Sequence, residues 1–315
     1  MKYVEQIRIK PGMTVGQLTN EMSNCGVLGA GSLAKATNII VDMFRDPDYT
    51  VFLTMSGPMI PGGLRRIIGE FIDRKLVNVI VSSGANIVHD IIEAIGFNHM
   101  REIFFSDFKL RKQGIGRIGD IYVAEKAFQA LEHKMFQFFD DLLQKKRRRI
   151  SICDLLHELG KYLKNKDSML VKASRHIVPV FSPGLLDSMV GIHIWTYSQL
   201  KELQIDPVQD LHKLSDVMYN AKKIGAIILG GGIPKHHVLG ASILREGVDS
   251  AVQITFDRPE CGSLSGAPLE EAISWKKAKS NGEFATVVGD ATIVFPLVAA
   301  AALELLEKDS LIRDN

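Results

Sequence analysis

The sequence predicts an α/β protein built on a doubly wound, mostly parallel sheet with helices on both faces. Short β-branched runs recur along the chain, each followed by a glycine- or serine-rich turn and then an amphipathic stretch. The runs are apolar nearly throughout instead of alternating, as expected of strands covered on both faces by crossover helices. Apolar residues make up 46% of the 315 and charged residues 23%, enough to bury a large core. In such folds ligands bind outside the carboxyl ends of the strands, so the turns are where chemistry is expected.

The elements follow in order. Residues 1–45 read as a mainly helical N-terminal segment, with a helix over 35–44. The run 50–55 is the first strand; the turn Ser56 to Gly63 follows, then a helix through Lys75. The run 76–81 leads through Ser82-Ser83-Gly84-Ala85 into a helix over 86–95. Residues 124–149 carry a helical period, with Phe128, Leu131, Met135, Phe138 and Leu142 on one face. Later strands at 177–181 and 226–229 precede Ser182-Pro183-Gly184 and Gly230-Gly231-Gly232. Two more, at 251–255 and 285–288, complete the set, and Gly289-Asp290 opens a closing helix over 291–306. No stretch reads as a linker, so 1–315 is taken as a single domain.

Charge and cysteine usage exclude several classes. Thirty-eight basic against 36 acidic residues leave a net charge of +2, which speaks against a dedicated nucleic-acid binder. The run Lys145-Lys146-Arg147-Arg148-Arg149 reads as a solvated helix C-terminus whose cations complement the macrodipole. Cys25, Cys153 and Cys261 are distant and odd in number, which fits reduced thiols in the cytoplasm. Neither they nor the nine histidines have metal-site spacing, so no metal is expected. The N-terminus has no apolar core of a signal peptide. The longest apolar run, 293–303, contains Pro296 and falls well short of the roughly 20 residues of a membrane span.

Two motifs are decoys. Gly29-Ala30-Gly31-Ser32-Leu33-Ala34 matches a dinucleotide GxGxxA, but no strand precedes it, so it reads as a turn before a helix. Gly262-Ser263-Leu264-Ser265-Gly266 lacks the central serine of a nucleophile elbow and reads as a loop that lets backbone approach a ligand. More suggestive are Gly230-Gly231-Gly232-Ile233-Pro234-Lys235-His236-His237 and Glu271-Ala272-Ile273-Ser274-Trp275-Lys276-Lys277. Glycines between a strand and a helix expose amides to a cofactor. A lysine under apolar cover and near other cations is disfavoured as an ammonium and could form a Schiff base. On these grounds alone a surface Lys-Lys pair after a core Trp is the favoured reading, since most lysines are solvated.

These two segments, with Asp290-Ala291-Thr292-Ile293-Val294-Phe295-Pro296-Leu297, resemble the deoxyhypusine synthase family in order and spacing. The turns at Ser56 to Gly63, Ser82 to Gly84, Arg117-Ile118-Gly119 and Ser182 to Asp187 extend the resemblance over roughly residues 20–305. The resemblance implies a Rossmann-like, NAD-dependent homotetrameric transferase of hypusine biosynthesis. Such enzymes move the 4-aminobutyl group of spermidine onto one lysine of the translation initiation factor 5A precursor, through an enzyme-lysine imine. By position Lys277 would carry the imine and His236 would act as acid/base. Glu271, Trp275, Gly262, Ser263 and His89 fall at substrate-binding positions. Ser56, Ser82, Ser83, Gly84, Asp187, Gly231, Asp290 and Ala291 fall at NAD-contacting ones. Where other members place acids around the polyamine this chain has His89, Ile192, Leu264 and Cys261, and Lys276 stands where a glycine would. The same chemistry could serve a small diamine acceptor, as in a homospermidine synthase, or the fold could persist as a non-catalytic NAD binder.

Overall fold

The computed structural model describes residues 2–102 and 105–313, the last five by backbone only. The chain opens with α1 (Val15–Cys25) and α2 (Leu28–Arg45), then β1 (Tyr49–Met55), a wide turn at Ile60–Leu64 and α3 (Arg65–Asp73). Next come β2 (Val79–Ser82), α4 (Gly84–Ala94), α5 (Asp107–Lys112), the hairpin β3 (Ile115–Ile118) and β4 (Ile121–Ala124), and α6 (Glu125–Gln144). They lead to β5 (Arg149–Ile150), α7 (Ile152–Tyr162), α8 (Met169–Arg175), β6 (Val180–Phe181), α9 (Met189–Ser198), β7 (Gln204–Ile205) and α10 (Pro207–Asn220). The last third holds β8 (Lys223–Leu229), α11 (Gly232–Ala241), β9 (Val248–Thr255), α12 (Glu271–Ser274), β10 (Ala278–Val288) and α13 (Ala291–Arg313).

The residues pack as two compact units. The first takes the described residues of Met1–Met55, Leu76–Asn78 and Leu214–Asn315. Its strands run β10-β9-β8-β1, all parallel. Met55 pairs with Leu229, Leu229 with Ile254, and Thr255 with Val288. The turns that leave β8, β9 and β10 therefore start side by side. Almost every residue of β8 and β9 is buried, which is the two-sided burial that their unbroken apolar runs predict. Helices α2, α11 and α13 pack on these strands. Helix α1 begins with a capping box between Thr14 and Gln17, and Glu304 of α13 accepts bonds from Thr14 Oγ1 at 2.7 Å and Gly16 N at 2.9 Å.

The second unit takes Ser56–Lys75 and Val79–Lys213. Its β2 and β6 pair in parallel, Ile80 with Val180 and Val81 with Phe181, so Ser82 and Ser182 follow adjacent strand ends. Phe138 and Phe139 of α6, Tyr162 of α7 and Tyr197 of α9 form an aromatic cluster in tilted contact.

Several boundaries differ from the sequence reading for identifiable reasons. Strand β2 starts at Val79 because Asn78 is committed to Val51, donating its N–H to the Val51 carbonyl at 2.9 Å and accepting the Val51 N–H on Oδ1 at 2.7 Å. Helix α4 starts at Gly84, with Ser83 as its N-cap. The Gly29–Ala34 stretch lies inside α2 and is not a turn. A Cβ on Gly31 would stand 2.5 Å from the Gly26 carbonyl carbon, so the glycine lets α1 and α2 close on each other. Helix α6 ends at Gln144, and the basic run continues into strand β5. Lys145 pairs with Asp141, Arg147 with Glu158, Arg148 with Glu202 and Arg149 with Asp206.

Among the described residues no helix is long and apolar enough to cross a membrane, and no group of His, Cys, Asp and Glu is arranged to hold a metal ion. Cys25, Cys153 and Cys261 are free.

Candidate functional site

In the first unit, the turns after β8 and β9 and the short helix α12 enclose a cavity of about 340 Å³. Its lining brings together six of the residues singled out from sequence: His236, Gly262, Ser263, Glu271, Trp275 and Lys277. Lys235, Leu239, Pro259, Leu264, Ala267, Pro268 and Ala272 complete it.

Two lysines reach this cavity in opposite conditions. Lys235 projects from α11 into the interior and is 1% exposed. Its Nζ donates to Gln253 Oε1 at 2.8 Å, to the Leu264 carbonyl at 2.8 Å and to the Ala267 carbonyl at 2.7 Å. Those three bonds use every N–H of an ammonium, so no lone pair is available for attack. Burial pulls this amine down from 10.5 to about 8, against the opposing pull of Glu271 and Asp257. Gln253, itself fully buried, donates its amide to the Gly230 and Ser265 carbonyls. Lys235 and Gln253 thus pin the glycine turn and the 262–267 loop to the sheet.

Lys277 is half-buried, and no described residue hydrogen-bonds or ion-pairs with its Nζ; the nearest group described for it is the Trp275 ring, 5.6 Å to the centroid. Its backbone is fixed on both sides. The N–H donates to the Ala272 carbonyl at 2.9 Å, and the carbonyl accepts from Val248 N at 3.0 Å and Ser242 Oγ at 2.9 Å. The side chain is free while its root is held. The preceding Lys276 has φ 57°, a left-handed conformation that glycine adopts without strain. Trp275 is 65% exposed, so the cover over Lys277 is thinner than the sequence reading supposed. Glu271 and His236 are exposed on the same cavity.

The remaining positions of the first unit follow the strand ends. Gly231 is the N-cap of α11, and the next amide, Gly232 N, donates to Ser265 Oγ at 2.7 Å. Asp290 accepts from Thr292 N and Oγ1, both at 2.7 Å, and Ala291 opens α13.

The second unit carries Ser56, Ser82, Ser83, Gly84, Asp187 and His89. Ser82 and Gly84 are buried between strand and helix, and a Cβ on Gly84 would lie 2.7 Å from Ser188 Cβ and 2.9 Å from the Gly184 carbonyl. The turns after β2 and β6 therefore touch, which a side chain at residue 84 would prevent. No described residue accepts from the first amides of α4, and Ser182 Oγ is buried without a partner. The Asp187 carboxylate is exposed and unbonded among the described residues. Open amides, an orphaned hydroxyl and a free carboxylate suit a diphosphate with ribose hydroxyls beside it.

His89 lies on α4, 6% exposed, and bonds through Nδ1 to Nε2 of His99 at 2.8 Å. His99 continues from Nδ1 to Glu93 Oε1 at 2.8 Å. Sequence reasoning missed Lys235, Gln253, His99 and Glu93. The signals for them were the place of Lys235 within the Gly230–His237 motif and the i, i+4 spacing of His89 and Glu93 on one helix.

A family model described as deoxyhypusine synthase matches residues 17–302. A protein of Methanothermobacter thermautotrophicus named probable deoxyhypusine synthase is 46% identical over 303 residues, covering 96% of this chain and 98% of its own. A namesake from Methanopyrus kandleri is 43% identical over 302 residues, with 96% and 98% covered. The crystal structure of an Entamoeba histolytica protein named for the same enzyme superposes with a TM-score of 0.69 at 21% identity, over 93% of this chain and 94% of that one, which supports the fold.

Proposed function

The chain belongs to the deoxyhypusine synthase family and is a transferase of that type, and we propose that it moves the 4-aminobutyl group of spermidine to a lysine of the translation initiation factor 5A precursor. The observation that carries this reading is the free Lys277 amine, rooted by three backbone bonds at the edge of the cavity. NAD, when bound, supplies a reversible hydride acceptor for the carbon beside the secondary amine of spermidine. Its support in this chain is the open α4 N-terminus, the orphaned Ser182 hydroxyl, Asp187 and the serines at 56, 82 and 83. The resemblance also gives Gly231, Asp290 and Ala291 cofactor contacts.

Lys277 attacks the oxidised carbon, and 1,3-diaminopropane leaves as the Lys277–carbon double bond forms. The acceptor lysine then displaces Lys277 from that carbon, and reduction yields deoxyhypusine. Both exchanges need proton transfer on nitrogen, which His236 at the cavity wall is suited to provide. Glu271 attracts the terminal ammonium, and Trp275 offers a face to the alkyl chain and to a cation. A homotetrameric cytoplasmic enzyme with the chain as one synthase domain belongs to the same reading.

Labelled spermidine supplied with NAD and either the factor 5A precursor or putrescine tests it. Label on the precursor lysine is expected. Label on putrescine alone would favour homospermidine-type transfer, and NAD binding with no transfer would leave a non-catalytic homologue.

A further inference from the structure

In the first unit, Lys277 sits on a seat built by the chain segment that follows α11. Its Cα lies between two fixed peptide planes. The plane before it is held by the Lys277 N–H, which donates to the Ala272 carbonyl at 2.9 Å. The plane after it is held through the Lys277 carbonyl, which accepts from Val248 N at 3.0 Å and Ser242 Oγ at 2.9 Å and so uses both lone pairs. Ser242 is fully buried and opens the short 3-10 turn Ser242–Arg245. Its hydroxyl also stands 2.7 Å from the Leu239 carbonyl, so one proton ties the last turn of α11 to the Lys277 backbone. Gly247 closes the turn at φ 104°, donating its N–H to the Ser242 carbonyl at 2.9 Å. A Cβ there would stand 2.5 Å from Ala278 N and 2.7 Å from Ala278 Cα, both of them backbone atoms. The sheet holds this stretch at one point only. Strand β10 pairs Ala278 with Val248, then slips register, and its ladder resumes at Glu283 opposite Ser250.

We propose that Ser242 and Gly247 are positioning residues for the transfer, fixing the Lys277 backbone in register with the helix that carries His236. This rests on the reading of Lys277 as the residue that bonds to the donor. An amine on a flexible four-carbon stem has bonds enough to miss its target, and the fold sets only where its Cα stands. His236 faces the same cavity from α11. Attack on carbon and proton transfer on nitrogen require the two side chains to meet at one place, so the spacing of their backbones has to be constant. Ser242 supplies that constancy by bonding to both α11 and residue 277. Gly247 supplies it by having no side chain, which lets the entry to β9 lie against Ala278. Neither residue is among those that line the cavity, so both act through Lys277 and not on the ligand.

Single-turnover trapping in the full-length protein tests the seat. Spermidine and NAD are supplied at saturation, the imine is reduced with borohydride at timed intervals, and the Lys277 peptide is quantified. Calorimetry gives the two affinities separately. Ser242→Ala should slow adduct formation about 10-fold, the scale of one neutral hydrogen bond. Gly247→Ala, which forces the Ala278 backbone aside, should slow it about 100-fold. Spermidine and NAD affinities should stay near wild type in both. Ser242→Cys keeps a weak donor in the same place and should fall between wild type and Ser242→Ala. If Gly247→Ala does not fold, the two Ser242 variants decide. Folded Ser242→Ala that forms the adduct at the wild-type rate, or that loses ligand affinity instead of rate, overturns the proposal. Wild-type protein with no adduct at residue 277 would sink the reading of Lys277 and the seat with it. That result is distinct from a wild-type adduct that is indifferent to Ser242.

Discussion

The floor and the rim of the cavity in the first unit each present a lysine, and the two differ in what surrounds the nitrogen. At the floor, Lys235 spends all three N–H groups on Gln253, Leu264 and Ala267. At the rim, Lys277 has a fixed backbone and an uncommitted amine. Burial alone would select Lys235 as the unusual lysine, since fully buried lysines are rare. Its hydrogen-bond count shows why burial is the wrong criterion for a nucleophile. A lysine that closes a loop onto a sheet needs its protons; one that attacks carbon needs to lose them.

Substituting each lysine should separate the two roles. Lys277→Arg keeps the charge but cannot form an imine. Transfer should fall at least ~1,000-fold, about 4 kcal/mol of lost transition-state stabilisation, with unfolding free energy within about 0.5 kcal/mol of wild type. Steady-state transfer and chemical denaturation measure the two. Lys235→Met should do the reverse. Three buried acceptors lose their donor, and destabilisation of roughly 3 kcal/mol is expected, while the protein that remains folded still forms the Lys277 adduct. Equal loss of adduct in folded Lys235→Met would erase the distinction.

A pH titration extends the comparison to the second unit. His89 is held near 4 against an ordinary 6.5, by burial first and by His99 second. Above pH 6.5 the ring is neutral whether the chain is folded or not. As pH falls towards 4 the unfolded chain takes up a proton that the folded one refuses, so stability present above 6.5 drains away across that window. The loss from this residue is on the order of 3 kcal/mol. His237, held near 4 by burial and by His236, steepens the same slope. Denaturation midpoints between pH 7 and 4.5 should therefore be shallower in His89→Gln; an unchanged slope would mean His89 is more hydrated than its 6% exposure implies.

The smallest effect is expected at Lys276. Its φ of 57° costs a side chain about 1–2 kcal/mol, partly offset by the entropy a glycine would lose. Lys276→Gly should change stability by no more than about 1 kcal/mol and leave the Lys277 adduct intact. A large loss of adduct would give Lys276 a chemical role.

These contrasts also mark what the sequence could express. The parallel strands were legible because burial on both faces leaves unbroken apolar runs, as at Ile224 to Leu229. Lys277 was legible through its motif. Lys235 stood in a motif too, but its role was hidden, because a lysine in sequence reads as solvated and its acceptors lie 18 to 32 residues away. Glu93 and His99 were hidden because their meaning depends on a turn at Gly96 that brings a loop under a helix. The glycines at 29 and 31 misled for the converse reason, since what they serve is a helix–helix approach.

The central claim is that Lys277, and no other lysine of the cavity, bonds to the carbon of the donor. Wild-type protein incubated with NAD and spermidine, reduced with borohydride and digested for peptide mass spectrometry, tests it directly. An aminobutyl group on Lys277 alone is the predicted result. The same group on Lys235 or Lys276 with residue 277 unmodified, or no adduct in protein that binds both ligands, would contradict it.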